Sequence, residues 1–389
     1  MNLPAADLSS KSTNANANQD DIRVMIVDDS VVIRGLVAKW VEEETGLKSV
    51  GKFSNGLKAV EGVRAADPDI IVLDIEMPVM DGLEALPQIL KLAPDAKVIM
   101  ASTLTQRNAE ISLQALSLGA ADYLPKPVSN SGVTTSTAFR RELIEKIKAL
   151  APAPSKRLRR QPSSGALAAP TKKTIISKPE VKAQTEYKMR PYSTVRPRVL
   201  VIGSSTGGPP ALIKVMEELK PVLKYVPVLI TQHMPSTFTG IFSEHIAKAT
   251  GVDAHEGRDG EPLKAGTIYI APGGRHMIVE REGTKPIIRL TDGPEINFCK
   301  PAVDPLFNSV SSLYGPATLA AVFTGMGSDG AKSAVTVADS GGSVIAQDEA
   351  TSVVWGMPGA TAKAGACCAI LPLNAMAQEI TQLIQGIRK

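Results

Sequence analysis

A serine stands between two glycines at the point where an apolar run gives way to a pair of prolines. The run Val199–Ile202 is short and β-branched, which favours a buried strand, and the prolines suit the first turn of a helix. The spacing Gly203-x-Ser205-x-Gly207 suits a nucleophile elbow, whose glycines let the backbone turn tightly and expose the hydroxyl. A phosphate-cradling glycine turn fits the same residues equally well, so the turn alone leaves both kinds of site open.

Activation of this serine requires a base, because a hydroxyl is a weak nucleophile until its proton is taken, most often by an oriented histidine. The chain has four histidines. His233 follows the predicted strand that comes next after the one carrying Ser205, so the two side chains meet if these strands are neighbours. His276 also follows a strand and is the alternative base. His245 and His255 lie in helix-like or polar loop sequence and are expected at the surface.

The third member of such a triad is a buried carboxylate, and the best candidate follows a further apolar strand. Asp329 lies after the run Thr318–Thr324, within a glycine-rich loop. Taken alone, an aspartate just before Ala331 is more simply interpreted as a helix N-cap. Asp304 is a rival for the carboxylate position. Three groups of suitable chemistry at three strand ends nevertheless favour a Ser-His-Asp site.

A second set of reactive groups, all carboxylates, lies near the N-terminus. Asp28 and Asp29 follow the apolar run Val24–Val27, and Asp74 follows the run Ile70–Leu73. A lone acidic pair after a strand is usually a solvated cap. Clustered carboxylates repel one another unless a cation lies among them, and an all-oxygen site with room for water suits Mg²⁺. The set as a whole therefore predicts a magnesium site.

The elements that position both sets of residues alternate between strand and helix. From residue 22, apolar strand-like runs alternate with helix-like segments such as Val31–Glu43, and the alternation resumes after Arg198, with helices at Pro210–Leu219 and Ala331–Ser340. Alternating β and α units predict two doubly wound α/β domains, each a parallel sheet covered on both faces. Reactive groups in such sheets gather beyond the carboxyl ends of the strands, where these side chains fall.

Composition places the chain among soluble globular proteins of two domains. Its 389 residues are 43% hydrophobic and 21% charged, and no apolar run is long enough to cross a bilayer. The polar stretch 1–21 lacks the apolar centre of an export signal and is expected to be a disordered leader. Three cysteines with neither disulfide nor zinc spacing favour a reducing, cytoplasmic setting, with all three as small core residues.

A basic segment between the two domains is concealed by the formal net charge of +4. Residues 151–198 carry twelve Lys or Arg against two Glu, a local balance of +10 that leaves the rest of the chain at −6. Seven prolines and few large apolar residues keep such a segment from burying enough surface to order itself. We expect a linker over residues 129–195, with a helix at Ala138–Ala149, acting as a solvated spacer rather than a nucleic-acid or lipid contact.

The acidic set is accompanied by further motifs. In chain order they are Asp74-Ile75-Glu76-Met77-Pro78, Met80-Asp81-Gly82, a hydroxyl at Ser102 and Leu124-Pro125-Lys126-Pro127. Together they resemble the receiver domain of two-component response regulators, over residues 22–128. The resemblance implies a flavodoxin-like sheet with Asp74 as the phosphoryl acceptor and a phospho-switch through Ser102 and Lys126. The implied magnesium ligands are Asp28, Asp29, Asp74 and the carbonyl of Glu76.

The segments around the serine, the histidine and the aspartate are similar to those of the chemotaxis protein-glutamate methylesterases. The matching stretches are 202–208, 231–235 and 324–331, with similar loops at 271–277 and 347–352. The resemblance implies a catalytic triad of Ser205, His233 and Asp329, with the Met326 amide contributing to an oxyanion hole. It implies a Rossmann-like catalytic domain over residues 196–389.

Members of this family hydrolyse glutamyl methyl esters on chemoreceptors and deamidate particular receptor glutamines. The resemblance therefore implies methyl-accepting chemoreceptors as substrates and a chemotaxis histidine kinase as phosphodonor. It implies Mg²⁺ in the receiver and no cofactor in the catalytic domain. The unphosphorylated receiver is expected to cover the active site. Neither a nucleic-acid partner nor membrane insertion is expected.

Two other classes of function fit parts of the sequence. A nucleotide-binding output domain would use residues 203–208, but this stretch lacks both the Gly-Lys-Ser/Thr of a P-loop and the Gly-x-Gly-x-x-Gly of a dinucleotide turn. A DNA-binding regulator would use the basic linker, but an output domain of about 190 residues is far larger than a helix-turn-helix module. Both are weaker hypotheses than the esterase.

Overall fold

The computed structural model describes residues 21–103, 105–126, 137–152 and 187–387. The expected leader, apart from Asp21, and most of the expected linker lie outside these ranges. Within them the chain forms two α/β units, each built on a parallel sheet, as the alternation of strands and helices predicts. None of the helices in the described ranges could span a bilayer.

The first unit is a five-stranded parallel sheet flanked by helices. Its strands are β1 (Ile22–Val27), β2 (Leu47–Phe53), β3 (Ile70–Asp74), β4 (Lys97–Thr103) and β5 (Asp122–Lys126). Its helices are α1 (Val31–Glu43), α2 (Gly56–Ala66), α3 (Gly82–Leu92), α4 (Gln106–Ser117) and α5 (Thr137–Leu150). The strands lie in the order β2-β1-β3-β4-β5, which is the flavodoxin-like arrangement.

The helix α5 belongs structurally to this first unit, although it lies in the segment expected to be a linker. It packs against β5 and α1. Its buried stripe includes Leu143 and Ile147, and Phe139 meets Trp40 of α1 edge to face, with ring centroids 6.0 Å apart. An apolar stripe at helical spacing explains why these residues form a helix that packs against the first unit.

The second unit contains a seven-stranded parallel sheet and a separate antiparallel hairpin. Its strands are β6 (Val199–Ser204), β7 (Val228–Gln232), β8 (Asp253–Glu256), β9 (Thr267–Ile270), β10 (His276–Glu282), β11 (Lys285–Thr291), β12 (Thr318–Val322), β13 (Ser343–Gln347) and β14 (Ala369–Leu371). Its helices are α6 (Gly208–Leu223), α7 (Ser236–Thr250), α8 (Val303–Tyr314), α9 (Ala331–Asp339), α10 (Met357–Lys363) and α11 (Leu373–Gln385). The hairpin is β10 with β11.

The order of the large sheet, β14-β13-β12-β6-β7-β9-β8, decides where its chemistry can lie. The chain leaves β6 on one side for β7 and later returns to the other side for β12, so a topological switch point lies at the carboxyl ends of these strands. The arrangement is Rossmann-like, with β9 inserted between β7 and the edge strand β8. β6 and β7 are neighbours, with Gly203 paired to Thr231, so the condition for Ser205 and His233 to lie at adjacent strand ends is met.

The two units pack against each other along β5 and α4 of the first and α6 and α7 of the second. Tyr123 of β5 stacks on Phe238 of α7, with ring centroids 4.4 Å apart and an interplanar angle of 15°. The Thr206 hydroxyl donates to Asp122 Oδ2 at 2.7 Å, and the same oxygen accepts from Lys146 Nζ of α5. A buried carboxylate of the first unit thus holds the residue that follows Ser205.

Gly82 provides a test of how tightly the first unit is built around Asp74. A Cβ at this position would lie 2.1 Å from the carbonyl oxygen of Asp74, a backbone atom that cannot move aside cheaply. We expect Gly82→Ala to lower the free energy of unfolding by about 1–3 kcal/mol, the usual effect of overpacking. The measurement is urea unfolding by tryptophan fluorescence in a Trp355→Phe background, where Trp40 reports on the first unit.

The matched control is Gly35→Ala on the exposed face of α1. A Cβ there meets nothing within 4 Å. We expect this variant to gain about 0.5–1 kcal/mol, because alanine restricts the unfolded chain and suits a helix better than glycine. Equal stability of the two alanine variants would contradict the close approach at Gly82.

Candidate phosphorylation site and catalytic site

Three carboxylates converge at the carboxyl edge of the first sheet. Asp28 and Asp29 follow β1 and Asp74 ends β3, and one oxygen of each lies within 4.8 Å of the others. Asp28 and Asp74 are buried, whereas Asp29 is exposed. The structure therefore brings together the three carboxylates that the sequence predicts as metal ligands. An acidic, all-oxygen set with one solvent-facing member has the chemistry that Mg²⁺ requires.

Lys126, at the end of β5, neutralises this cluster. Its Nζ lies 2.7 Å from Asp28 Oδ2 and 2.8 Å from Asp74 Oδ1. Burial raises the pKa of Asp74 to about 6, against the opposing effect of the Lys126 charge. Burial alone would lower the pKa of Lys126, but Asp74 and Asp28 outweigh it and hold that pKa above its usual value. The lysine is thus charged and directed at the proposed phosphoryl acceptor.

The remaining predicted residues of this site lie close by. Ser102, in β4, is buried, and its hydroxyl pairs with that of Ser112 on α4 at 3.2 Å. Glu76 directs its carboxylate toward α4, where it accepts from Asn108 Nδ2 at 3.4 Å. Its side chain is therefore turned from the cluster, which leaves its backbone carbonyl as the group expected to bind a metal.

Ser205 lies in the tight turn between β6 and α6. Its amide donates to the Thr324 carbonyl at 3.1 Å, and its own carbonyl accepts from the Gly208 amide at 2.8 Å. Gly207 has φ 74°, in the left-handed region that glycine adopts without strain. A Cβ at Gly208 would lie 2.1 Å from Gln232 Oε1. These two glycines explain why the elbow spacing produces this turn.

His233 and Asp329 form the hydrogen-bonded pair that the sequence predicts. His233 Nε2 lies 2.8 Å from Asp329 Oδ2, across the switch point between the loops that follow β7 and β12. Burial alone would lower the pKa of His233, but the hydrogen bond with Asp329 and the contact with Cys299 raise it to about 9. Because Nε2 faces the carboxylate, Nδ1 is the nitrogen that could act as a base once the imidazolium has lost its proton there.

Asp329 is held by several donors besides the histidine. Its carboxylate accepts from the amides of Val303 at 2.6 Å, Asp304 at 3.3 Å and Gly330 at 3.0 Å, and from Asn297 Nδ2 at 3.3 Å. Burial alone would raise its pKa, but these bonds and His233 hold the pKa below its usual value. The residue therefore does not cap the helix that follows it; it satisfies the first amides of α8, which lacks a side-chain cap of its own.

The alternative residues occupy structural positions. His276 is buried, accepts from the Ala302 amide through Nδ1 and faces the Pro294 carbonyl through Nε2. The Asp304 carboxylate accepts from the amide and hydroxyl of Ser333. His245 and His255, expected at the surface, are half-buried.

Ser205 and His233 are not joined by a hydrogen bond in the described structure. His233 Nδ1 instead lies 3.3 Å from Cys299 Sγ. The prediction that all three cysteines are core residues is wrong for Cys299, which is half-buried and contacts the candidate base, whereas Cys367 and Cys368 are buried. Nothing in the cysteine spacing could reveal this contact, because the residues involved are 66 positions apart.

Gln232 joins the serine turn to the histidine loop. It accepts from the Ser204 hydroxyl at 2.6 Å and donates to the carbonyl of Ser205 at 2.9 Å and of His233 at 3.3 Å. No role for Gln232 follows from the sequence motifs, although its place directly before His233 is a usable signal. Met326 lies on the loop after β12, and in the described residues its amide donates no hydrogen bond.

The fold and the two sites together define a class of protein. A flavodoxin-like domain with a lysine-neutralised acidic cluster is a receiver, and it precedes a Rossmann-like domain whose switch point carries a serine, a histidine and an aspartate. The chain is a response regulator with an enzymatic output domain.

The family follows from comparison with known proteins. Residues 24–137 match the response regulator receiver domain, and residues 200–380 match the CheB methylesterase family. The chain is 50% identical over 395 residues to the protein-glutamate methylesterase/protein-glutamine glutaminase of group 2 operon of Rhodopseudomonas palustris, covering 99% of this chain and 100% of the relative. It is 52% identical over 371 residues to the protein-glutamate methylesterase/protein-glutamine glutaminase of Nitrobacter hamburgensis, covering 95% and 96%. The chain belongs to the CheB methylesterase family.

Solved structures of Thermotoga maritima CheB resemble the two units separately. Its methylesterase catalytic domain is 36% identical and aligns with 49% of this chain and 100% of that chain, with a TM-score of 0.47. Its response regulator domain is 41% identical and aligns with 33% of this chain and 94% of that chain, with a TM-score of 0.30.

The His233–Asp329 bond is testable by NMR titration of the four imidazoles. We expect His233 to titrate near pH 9 in the parent protein and at a lower pH in Asp329→Asn, where only the Cys299 contact still opposes the effect of burial. The raised pKa implies that this bond contributes fully to folding stability below pH 6.5 and that the contribution is lost as the pH rises through about 9. An unchanged titration in Asp329→Asn would rule out the pair as its cause.

Proposed function

We propose that this chain is a phosphorylation-activated serine hydrolase that removes methyl groups from glutamate methyl esters, and deamidates glutamines, on methyl-accepting chemoreceptors. The observation that carries the proposal is the His233–Asp329 pair, which lies at the same switch point as the Ser205 turn in a chain of the CheB methylesterase family. The residues proposed for catalysis are Ser205, His233 and Asp329, and the reaction serves chemotaxis adaptation.

In the proposed mechanism His233 Nδ1 takes the proton of Ser205 as Oγ attacks the side-chain carbonyl carbon of the receptor ester. The tetrahedral intermediate collapses, and the imidazolium returns its proton to the leaving group, which departs as methanol from an ester or as ammonia from a glutamine. Water, activated by the same nitrogen, then releases the glutamate from the acyl-enzyme. Asp329 holds the imidazole in the tautomer with hydrogen on Nε2 and stabilises its charged form.

The developing oxyanion requires donors that face the reacting carbonyl. The Met326 amide and the amides of the Ser205 turn are the groups we assign to this role. The Met326 amide has no hydrogen-bond acceptor among the described residues, and such an amide can donate to the substrate, which supports its assignment. Removing one such donor typically costs about 3–4 kcal/mol of transition-state stabilisation.

In the receiver, Asp74 is the proposed phosphoryl acceptor. Asp28, Asp29, Asp74 and the Glu76 carbonyl would hold Mg²⁺, which when bound neutralises the charge of the transferred phosphoryl oxygens. Lys126 adjoins Asp74 and supplies a second positive charge. We propose that Ser102 turns from Ser112 toward the new phosphoryl group, and that a chemotaxis histidine kinase is the phosphodonor.

Control of the esterase by the receiver is supported by the packing between the units. Met326 packs against an apolar cluster formed largely by the receiver, and Thr206, next to the nucleophile, bonds to Asp122 of the receiver. We propose that this docked arrangement limits access to Ser205 and that phosphorylation shifts the equilibrium away from it. The proposed domains are 22–128 and 196–389, joined by the segment 129–195, whose helix α5 packs on the receiver, in a cytoplasmic protein.

The nucleophile is tested by Ser205→Ala. We expect release of methanol from methylated receptor membranes to fall by at least about 1,000-fold, because the hydroxyl proposed to form the acyl-enzyme is removed. Phosphorylation of Asp74 by a small phosphodonor should remain unchanged. Ser312→Ala, on the exposed side of α8, is the matched control and should retain parental activity. Appreciable methanol release by Ser205→Ala would exclude the assignment.

The docking surface is tested by Tyr123→Leu. Loss of the stack on Phe238 should weaken docking of the receiver and so raise the basal rate of methanol release. We expect an increase of about 2–10-fold, which is the rate ratio that corresponds to the interaction free energy of one aromatic pair. The rate is measured without phosphodonor. Tyr225→Leu, an exposed tyrosine of the catalytic domain, should leave it unchanged. A basal rate no higher than that of the parent would argue against inhibition through this contact.

A further inference from the structure

The tight turn Ile296–Cys299 lies beside His233, the proposed catalytic histidine. Its ends are joined by two backbone hydrogen bonds, from Ile296 N to Cys299 O at 3.1 Å and from Cys299 N to Ile296 O at 2.9 Å. Its two central residues, Asn297 and Phe298, have φ of 52° and 61°. Asparagine tolerates this left-handed region, but phenylalanine adopts it only where surrounding contacts hold it. The turn is therefore a strained element held from outside.

The contacts of the turn reach both the catalytic pair and the receiver. Cys299 Sγ lies 3.3 Å from His233 Nδ1, and Asn297 Nδ2 lies 3.3 Å from Asp329 Oδ1. Phe298 is 76% exposed, and the guanidinium carbon of Arg141, on α5 of the receiver, lies 4.4 Å from the centre of its ring. A single turn thus connects a receiver side chain to the base and the carboxylate of the esterase.

The contact of Cys299 with His233 matters because it involves the ring nitrogen that the proposed mechanism requires. Since Nε2 is engaged by Asp329, Nδ1 is the only nitrogen that can take the Ser205 proton, and it is the nitrogen that Cys299 faces. A thiol is a weak hydrogen-bonding group. While Sγ lies against Nδ1, it occupies the position from which the Ser205 hydroxyl would have to reach that nitrogen.

We propose that Cys299 is a positioning residue that occupies His233 Nδ1 while the receiver is docked, and that Arg141 holds the turn in this position through Phe298. Departure of Arg141 frees the strained turn, withdraws the thiol and leaves Nδ1 to Ser205. The proposal rests on the assignment of Ser205, His233 and Asp329 above. It assigns no covalent role to the cysteine.

The first test compares Cys299→Ala with Cys299→Ser in the full-length chain, by methanol release from methylated receptor membranes. We expect Cys299→Ala to raise the basal kcat/KM by about three- to tenfold, the range that one hydrogen bond represents, and to reduce stimulation by a small phosphodonor by the same factor. The titratable groups acting on His233 are Asp329 and Cys299. The acid limb of the kcat/KM profile should therefore move to lower pH in Cys299→Ala.

Cys299→Ser should stay closer to the parent than Cys299→Ala, because a hydroxyl at this position still hydrogen-bonds to Nδ1 and occupies it. Cys368→Ser, distant from the site and bonded to the Pro191 carbonyl, should match the parent. An unchanged basal rate and pH profile in Cys299→Ala would overturn the proposal, and so would a loss of activity in it. A phosphodonor-stimulated rate equal to that of the parent shows that the variant is folded.

The second test is a double-mutant cycle between the receiver and the turn. Arg141→Ala should raise the basal rate in the parent but have little further effect in Cys299→Ala, because both changes release the same nitrogen. Arg140→Ala is the matched control, since this neighbouring arginine pairs with Glu43 inside the receiver. Additive effects of Arg141→Ala and Cys299→Ala would overturn the link. If the assignment of Ser205, His233 and Asp329 as the catalytic residues were wrong, Ser205→Ala would retain activity, which is a different outcome from either result above.

Discussion

The catalytic half of this protein depends on one buried carboxylate. Asp329 accepts from His233, from Asn297 and from three backbone amides, two of them at the start of α8. These bonds keep the carboxylate charged although it is buried, and the charge in turn fixes the histidine tautomer. Because the donors come from separate parts of the chain, the carboxylate that orients His233 also ties the loop after β12 to α8 and to the turn Ile296–Cys299.

In the receiver, one strand connects the acidic cluster with the interface to the catalytic domain. On β5, Asp122 and Tyr123 contact the catalytic domain. Lys126, at the end of the same strand, contacts the acidic cluster. A change in the charge around Lys126 therefore occurs within four residues of the interface. This proximity places the proposed phosphoryl acceptor and the Ser205 turn at the two ends of a short series of contacts, through Lys126 and Asp122.

Much of this arrangement follows from local sequence. The β-branched runs predict the strands, the alternation predicts parallel sheets, and parallel sheets place Asp28, Asp29, Asp74, Ser205 and His233 at strand ends. The helix α5 was harder to assign to a domain, because its sequence shows a helical period but not the surface that it covers. The contact of Cys299 with His233 was missed, since composition describes a cysteine only as small and apolar and says nothing about residues distant in sequence.

The sequence by itself determined the residue types at the two sites, the strands and turns that carry them and the family to which the chain belongs. Only the tertiary structure decided which nitrogen of His233 faces Asp329, that Cys299 takes the other, and that Asp122 and Tyr123 pack on the catalytic domain. The reason is physical. Strand and turn formation depend on neighbours along the chain, whereas hydrogen bonds across a switch point depend on strand order and on side-chain directions set by packing.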